Sequence, residues 1–235
     1  MNWRAFIRSM PVVGPLSYRV RPRQNHRFDT QYPFRSSNEY WERRYAKGGT
    51  SGAGSYNHLA KFKAEVLNDL VGRFAIGSVI EFGCGDGAQL DLADYPAYIG
   101  VDVSETVLSR VRRRFRDDPR FRFVHSSEAQ GLKAELGLSL DVIYHLVEDG
   151  VFESYMRSLF DASTRFVAIY ASNEDRVTEV PHVRHRRFTK WVENNRSDFE
   201  LTGTITNKYP FDPYHPDETS FADFYIYTYV GARRA

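Results

Sequence analysis

The feature that most constrains the fold is a short apolar run at residues 79–82 that leads directly into glycines at positions 83, 85 and 87. Such a run is typical of a buried strand, and alternate glycines let the following backbone approach a ligand and direct free N–H groups at it. Asp102 ends the next apolar run. Because parallel strands end at one edge of a sheet, we expect this acid beside the glycines, where ligands bind. A carboxylate there can accept hydrogen bonds from both hydroxyls of a ribose.

From residue 78 onward, short apolar runs alternate with helical periodicity, which is the pattern of a parallel sheet. The pattern predicts strands at residues 79–82, 98–101, 121–124, 142–144 and 166–170. It predicts helices near residues 87–92, 104–115, 128–136, 150–161 and 187–194. Two closing strands, near 201–206 and 224–230, have no helix between them and should pair antiparallel. The predicted fold class is α/β, a doubly wound, mostly parallel seven-stranded sheet with a C-terminal antiparallel strand pair, and residues 36–235 form one domain.

Composition excludes a wholly disordered, collagen-like or coiled-coil chain. Hydrophobic residues at 42% and charged residues at 26% are typical of a globular chain. The 32 basic and 30 acidic residues leave a net charge of +2, which gives no reason to expect nucleic acid or a membrane as the main partner. Cys84 is the single cysteine, so neither an intrachain disulfide nor a zinc site of the four-Cys or Cys-pair type is expected, and no metal site is predicted. No run approaches the roughly 18 apolar residues of a membrane span, and we expect a cytoplasmic protein.

The N-terminal region divides into an arm and a lid. Residues 1–35 form a basic arm with seven arginines and one acid, which can dock on an anionic partner but is more often solvated. Ser36 and Glu39 have the spacing of a capping box before a helix, and a glycine-rich loop follows that helix. Glycines supply hinges, so we expect residues 36–57 to close over a bound ligand. The substrate-binding residues predicted in this lid are Tyr40, Trp41 and Arg44.

The helix after the lid is predicted from apolar residues three and four positions apart. The same periodicity predicts a polar, solvated face that carries Lys61, Lys63, Glu65 and Asp69.

The glycine pattern also fits a dinucleotide-binding turn. Gly83, Gly85 and Ala88 have the spacing G-x-G-x-x-A, with Asp102 near the expected distance. However, Glu81 and Asp86 would bring negative charge to the place of a pyrophosphate, and the remaining length offers no second catalytic domain. A cationic ligand suits these acids better.

The runs EFGCGDG and GVDVS resemble the first two motifs of the class I S-adenosylmethionine-dependent methyltransferases. The resemblance covers residues 78–230 and implies that fold and S-adenosylmethionine as cofactor. It implies that Glu81 lies near the amino group of the cofactor, Asp102 near the ribose and Val103 near the adenine. The methionine end would lie over the turn formed by Gly83, Cys84, Gly85, Asp86 and Gly87.

Two further segments refine the resemblance. The third predicted strand ends without the Asp that often contacts the adenine amine in this family, so Ser126, Ser127 or Glu128 would replace it. The runs YWERRYAKGGTSGAGSY, DVIYHLVEDGVFE and SFADFYIY are similar to methyltransferases of bacterial glycan biosynthesis.

The end of the fourth predicted strand should face the methyl acceptor. His145 is a candidate base because a neutral imidazole can take a hydroxyl proton, although it can equally well only hydrogen-bond the cofactor or the backbone. Glu148 is a candidate substrate ligand, and Asp149 a helix cap. The segment lacks the Asn/Asp-Pro-Pro-Tyr signature of enzymes that methylate nucleobase amines.

A basic cluster at residues 181–187 offers alternatives. His182 and His185 are further candidate bases, and Arg184 can hold an anionic or sugar substrate, although a solvated turn explains the cluster as well. Tyr209 and Tyr214 in the following loop can stack on sugar rings, or pack at the edge of the fold.

These observations favour an S-adenosylmethionine-dependent methyltransferase that acts on a hydroxyl oxygen of a small molecule or glycan. The alternatives are an NAD(P)-dependent oxidoreductase and a non-catalytic assembly protein that keeps the cofactor fold. A homodimer is compatible with the sequence.

Overall fold

The structure is a computed structural model that describes residues 33–231, so most of the basic arm lies outside the described residues. The first half of the described chain contains α1 (Ser37–Ala46), α2 (Asn57–Arg73), β1 (Val79–Phe82), β2 (Tyr98–Asp102), α3 (Glu105–Arg114), β3 (Phe121–His125) and β4 (Ala134–Leu140). The second half contains α4 (Asp149–Ala162), β5 (Ser163–Ala171), β6 (Arg176–Val177), β7 (Arg184–His185), α5 (Phe188–Asn195), β8 (Phe199–Ile205) and β9 (Asp223–Tyr229).

Seven strands form one sheet in the order β3-β2-β1-β4-β5-β9-β8. Strands β1 to β5 are parallel, and β9 pairs antiparallel with both β5 and β8, so the predicted fold class is confirmed. The chain runs from β1 outward to β3 and then returns to β4 on the other side of β1. The carboxyl ends of β1 and β4 therefore flank the switch point of the sheet, where ligands bind in open α/β folds. Strands β6 and β7 form a separate hairpin that the sequence did not predict.

The core fills both faces of the sheet. On one face, Leu67 and Leu70 of α2 pack with Leu108 of α3, and all three are fully buried. On the other face, Phe160 of α4 and Phe188 of α5 are equally buried. Strand β1 is buried along its whole length, as the continuous apolar run at residues 79–82 predicted.

The predicted fourth strand is wrong. Residues 142–144 follow the strand, and Ile143–His145 form a short 3-10 helix, whereas β4 begins inside the helix predicted at residues 128–136 and takes its last three residues. Alanine, leucine and glutamate favour a helix, but pairing with β1 and β5 overrides that preference. At Gly137, an added Cβ would lie 2.0 Å from Ser163 Oγ and 3.2 Å from Leu159 Cδ1, so the small residue lets α4 pack on the strand.

The lid region begins as predicted. Ser36 Oγ accepts a hydrogen bond from the Glu39 N–H at 3.2 Å, and α1 ends just before Gly48, whose φ is +83°. The polar face predicted for α2 is wrong at one position, because the Lys63 side chain is only 2% exposed and forms an ion pair inside the fold.

Within residues 33–231, none of the helices has the length and apolar character needed to cross a lipid bilayer. The same residues contain no group of three or more His, Cys, Asp or Glu placed to hold a metal ion.

Candidate ligand-binding and catalytic site

The glycine turn after β1 is held closely between two other segments. Gly83, Gly85 and Gly87 have φ values of +81°, +56° and +71°, which residues other than glycine rarely adopt. A Cβ at Gly83 would lie 2.5 Å from Val142 Cγ2, and one at Gly85 would lie 2.2 Å from Ser51 Oγ. The glycines therefore allow the lid and the segment after β4 to contact the turn from both sides.

Asp102 lies beside this turn, at the end of β2, and is 6% exposed. The Gly85 N–H donates to Oδ2 at 2.9 Å, and the Ser104 N–H donates to Oδ1 at 3.0 Å. Burial raises the pKa of the carboxyl, and these two N–H groups oppose the rise. Each oxygen keeps a further lone pair, so the carboxylate can still accept hydrogen bonds from hydroxyl groups.

Glu81 lies behind the turn and is 4% exposed. Burial raises its pKa to about 7, against the opposing effects of the Tyr98 hydroxyl and the Lys63 ammonium. The Tyr98 hydroxyl donates to Oε2 at 2.6 Å. Burial therefore favours the uncharged form of this carboxyl.

These groups line one cavity, whose empty volume is about 900 Å³ when its solvent-filled mouth is included. The structure brings ten of the predicted site residues to its wall: Trp41, Glu81, Gly83, Cys84, Gly85, Asp86, Asp102, Val103, Ser126 and His145. The other predicted site residues lie outside this lining: Tyr40, Arg44, Gly87, Ser127, Glu148, His182, Arg184, His185, Tyr209 and Tyr214. The roles predicted for both groups stay predictions.

The glycine-rich loop of the lid is fastened to the turn through Asp86. The Ser51 N–H donates to Asp86 Oδ2 and the Asp86 N–H donates to Ser51 Oγ, both at 2.9 Å. The Tyr56 hydroxyl also donates to Oδ2, at 2.5 Å, and Ser51 Oγ lies 3.0 Å from the Tyr45 hydroxyl. Asp86 thus links the glycine-rich loop to the turn beside the cavity.

His145 lies in the cavity wall, directly after β4. Its Nδ1 is 3.0 Å from the carbonyl oxygen of His182, so Nδ1 carries the proton and Nε2 keeps a lone pair. The ring contacts Trp41 edge to face at 5.0 Å and lies parallel to the His182 ring at 5.6 Å. Burial lowers the pKa of His145 to about 3, and the positive charge of Arg44 adds to this effect. The ring is therefore uncharged at neutral pH.

Both ring nitrogens of His185 form hydrogen bonds. Its Nδ1 is 2.6 Å from Ser172 Oγ, and Arg176 donates to Nε2 at 3.0 Å. Burial lowers its pKa as well. With both nitrogens bonded, this ring is less suited than His145 to take a proton from a substrate.

The remaining predicted substrate residues support the lid and the loops. Glu148 accepts from the Ser37 N–H at 2.9 Å and from its hydroxyl at 2.6 Å, which caps α1. Arg184 donates to the Val147 carbonyl at 3.1 Å and pairs with Asp149.

In α1, Arg44 donates to the Thr50 carbonyl and to the Tyr40 hydroxyl, and the Tyr40 ring stacks on His182 at 4.2 Å. Ser127 is exposed beside His125. Tyr209 packs against His58, and Tyr214 is 88% exposed.

Lys63, Asp141 and Gln89 are among the polar residues of the cavity wall that sequence reasoning missed. Lys63 Nζ lies 2.6 Å from Asp141 Oδ2, and Gln89 donates from Nε2 to the Ala60 carbonyl at 2.9 Å. Gln89 Oε1 is buried and has no hydrogen-bond partner among the described residues. Only the position of Asp141, immediately before the apolar run at 142–144, hinted at such a role.

The sequence matches no protein-family model and no curated protein, but many solved structures share its fold. The N-methyltransferase NodS from Bradyrhizobium japonicum WM9, in complex with S-adenosylhomocysteine, aligns with a TM-score of 0.65 at 13% identity, over 83% of this chain and 100% of that one. Magnesium protoporphyrin IX methyltransferase from Synechocystis PCC 6803, also with S-adenosylhomocysteine, aligns with a TM-score of 0.58 at 15% identity, over 82% and 97%. The methyltransferase domain of bacterial CtHen1-C aligns with a TM-score of 0.55 at 18% identity, over 72% and 97%. The chain therefore has the fold of the class I S-adenosylmethionine-dependent methyltransferases.

Proposed function

We propose that the protein transfers a methyl group from S-adenosylmethionine to a hydroxyl oxygen of a small molecule or glycan. The observation that carries this proposal is the position of His145. Its uncharged ring, with a lone pair on Nε2, lines the same cavity as the glycine turn and Asp102. A proton acceptor and a nucleoside-binding acid in one cavity suit a hydroxyl nucleophile.

The cavity fits the cofactor chemically. Gly83 and Gly85 line the cavity with bare backbone, and Asp102 keeps lone pairs for ribose hydroxyls. The buried Oε1 of Gln89 is an acceptor without a donor among residues 33–231, which fits a ligand that brings one. S-adenosylhomocysteine in the structures of NodS and the protoporphyrin methyltransferase supports the same cofactor.

When bound, S-adenosylmethionine supplies a methyl group on a positively charged sulfur, and the acceptor oxygen takes that carbon while the electrons of the C–S bond stay on the sulfur. Nε2 of His145 then receives the hydroxyl proton. The low pKa of His145 does not prevent this transfer, because a hydroxyl oxygen that has gained a methyl group is a far stronger acid than an imidazolium ion. The protein mainly supplies alignment and a dry cavity under the lid.

The wall beside His145 supports a sugar-like acceptor. Trp41 lines the cavity with its ring against His145, and aromatic faces are suited to stack on sugar rings. Asn38 from the same helix adds an exposed amide that can bond to hydroxyl groups.

A binding titration and a labelling reaction test the proposal. We expect the wild-type protein to bind S-adenosylmethionine in a calorimeter, and Asp102→Ala to weaken binding about 100-fold, because two charge-assisted hydrogen bonds are lost. Asp117→Ala is the matched control, since its side chain is 89% exposed. When the protein is incubated with S-adenosylmethionine that carries a labelled methyl group and with a panel of mono- and oligosaccharides, we expect labelled methyl ethers as products.

Each alternative has its own outcome in these measurements. Binding of NAD(P) in place of S-adenosylmethionine would support the oxidoreductase instead. Cofactor binding without any label transfer would support a non-catalytic role, and label on nitrogen or carbon would overturn the oxygen assignment.

A further inference from the structure

The backbone that follows His145 lies between two regular elements. The short helix at Ile143–His145 ends at Leu146, and α4 begins only at Asp149, so the carbonyl groups of Leu146 and Val147 belong to neither element. Buried carbonyl oxygens need hydrogen-bond donors, and here the donors come from a distant part of the chain.

Arg186 supplies these donors. Its Nε and Nη2 both lie 3.2 Å from the Leu146 carbonyl oxygen, Nη2 donates to the Val147 carbonyl at 2.7 Å, and Nη1 lies 2.6 Å from Asp149 Oδ1. The guanidinium is buried and lies over the Phe152 ring, 4.7 Å from its centroid. The rigid fork of a guanidinium can reach three groups at once, which the compact ammonium of a lysine cannot do in the same geometry. Arg186 therefore fixes the backbone after the candidate base.

Arg186 is in turn anchored beside the end of β5. It directly follows β7, which pairs antiparallel with β6, and the neighbouring His185 places Nδ1 2.6 Å from Ser172 Oγ. The same stretch of chain supplies the His182 carbonyl, which lies 3.0 Å from His145 Nδ1. One segment therefore holds both the His145 ring and the backbone that follows it.

The tautomer of His145 depends on this arrangement. A neutral imidazole carries its proton on the nitrogen that donates a hydrogen bond, and the His182 carbonyl is the acceptor opposite Nδ1. Nε2 then stays bare and can receive a proton from an acceptor hydroxyl. If the backbone after His145 shifted, Nδ1 would lose this partner and the proton would be shared between both nitrogens. A proton on Nε2 blocks proton transfer from the acceptor.

We propose that Arg186 is a positioning residue that keeps the His145 ring in the tautomer with a bare Nε2. It does so by binding residues 146–149 to the segment that provides the His182 carbonyl. Its catalytic meaning rests on the proposed function, because a bare nitrogen matters only for an acceptor that loses a proton. Arg186 does not line the cavity, so it acts through His145 and not on the substrate.

The first test is the tautomer of the wild-type protein. NMR spectra of protein with ¹⁵N-labelled histidine distinguish an imidazole nitrogen that carries a proton from a bare one. A spectrum of His145→Phe identifies the His145 signals among those of the seven histidines. We expect the proton on Nδ1 at pH 7, where the ring is uncharged because burial lowers its pKa to about 3. This measurement needs neither a substrate nor a folded variant of Arg186.

The second test is Arg186→Lys, which keeps a positive charge beside Phe152 and loses the fork of donors. We expect signals from both tautomers of His145 in this variant. We expect kcat to fall about 10- to 100-fold, while the acceptor KM and the affinity for S-adenosylmethionine stay within about 3-fold of the wild-type values. Turnover is measured with the acceptor found by methyl labelling.

Arg196→Lys is the matched control. The Arg196 side chain is 11% exposed, against 10% for Arg186, and it lies over the Phe160 ring at 5.2 Å. Its ion pairs are with Asp161 and Asp198, neither of which lines the cavity. We expect this variant to lower stability to a similar degree and to leave the His145 tautomer and kcat unchanged.

The possible outcomes separate the two proposals. A proton on Nε2 of His145 in the wild-type protein, or an unchanged tautomer in Arg186→Lys, would overturn the positioning role. An equal loss of kcat in Arg196→Lys would assign the effect to lost stability and overturn it as well. If labelled methyl groups reach no oxygen acceptor, the proposed function fails, whereas a changed tautomer in Arg186→Lys still supports the positioning of His145 by Arg186.

Discussion

The two ends of the cavity are built in different ways. At the ends of β1 and β2, the cavity wall contains the glycine turn and Asp102, and Asp102 accepts hydrogen bonds from the Gly85 and Ser104 N–H groups within a short stretch of chain. At the end of β4, the groups come from distant elements: His145 is held by residue 182, and Asp141 by Lys63, which is 78 residues away. The first end is specified by local sequence, and the second only by tertiary packing.

Burial shifts the pKa values at the two ends of the cavity in opposite directions. Burial raises the pKa of Glu81 to about 7 and lowers that of His145 to about 3, so that both groups tend toward their uncharged forms. The β1 end therefore becomes less negative as the pH falls toward neutral, while the imidazole at the β4 end stays neutral. This contrast suggests a binding end and a reacting end, and variants can test whether the division holds.

The largest expected effect is on turnover. His145→Phe keeps an aromatic ring against Trp41 but removes the proton acceptor, so we expect kcat to fall about 100- to 10,000-fold. The affinity for S-adenosylmethionine should stay within about 3-fold of the wild-type value, because the ring is not expected to bind the nucleoside. Turnover is measured with the acceptor found by methyl labelling, and affinity by calorimetry.

His182→Phe is the matched control for this prediction. It preserves a ring between Tyr40 and His145 and leaves the backbone carbonyl that orients Nδ1. A loss of turnover as large as that of His145→Phe would move the base to His182. A loss of cofactor affinity in His145→Phe would show that the two ends are not separate.

The same contrast explains which parts of the molecule the sequence could predict. Strand β1 runs directly into the glycine turn, and Asp102 ends the next strand, so these features can be read from a short stretch of sequence. Strand β4 begins with the good helix formers Ala134, Glu135 and Leu136, and pairing with its neighbours β1 and β5 makes it a strand. Lys63 follows the spacing of a polar face, and nothing local shows that Asp141 would bury it. Long-range partners of this kind leave no periodic signal.

A smaller effect is expected from the glycine turn. Gly85→Ala places a Cβ 2.2 Å from Ser51 Oγ at a φ of +56°, so the lid must shift and the backbone is strained. We expect the free energy of unfolding to fall by about 1–3 kcal/mol in urea titrations, together with weaker cofactor binding.

Gly150→Ala is the control for this variant. It lies in α4 with no atom within 4 Å of the added Cβ, so it should raise stability by about 0.5–1 kcal/mol and leave binding unchanged. If Gly85→Ala has wild-type stability and affinity, the turn does not need the lid contact.

The smallest effect expected is the pH dependence of stability, which should have opposite signs at the two ends. His145 has a folded pKa below its unfolded value, so the unfolded chain binds more protons below about pH 6.5 and stability is lost as the pH falls. Glu81 has a folded pKa above its unfolded value. Between about pH 7 and 4.5 the folded chain therefore binds more protons than the unfolded chain, and stability increases as the pH falls. We compare the change in the free energy of unfolding when the pH is lowered from 6.5 to 5.5. For His145→Phe this free energy should fall by about 1 kcal/mol less than for wild type. For Glu81→Gln it should fall by about 1 kcal/mol more than for wild type. Urea titrations at both pH values check this, and equal shifts in the two variants would contradict the division of the cavity into ends of opposite electrostatic character.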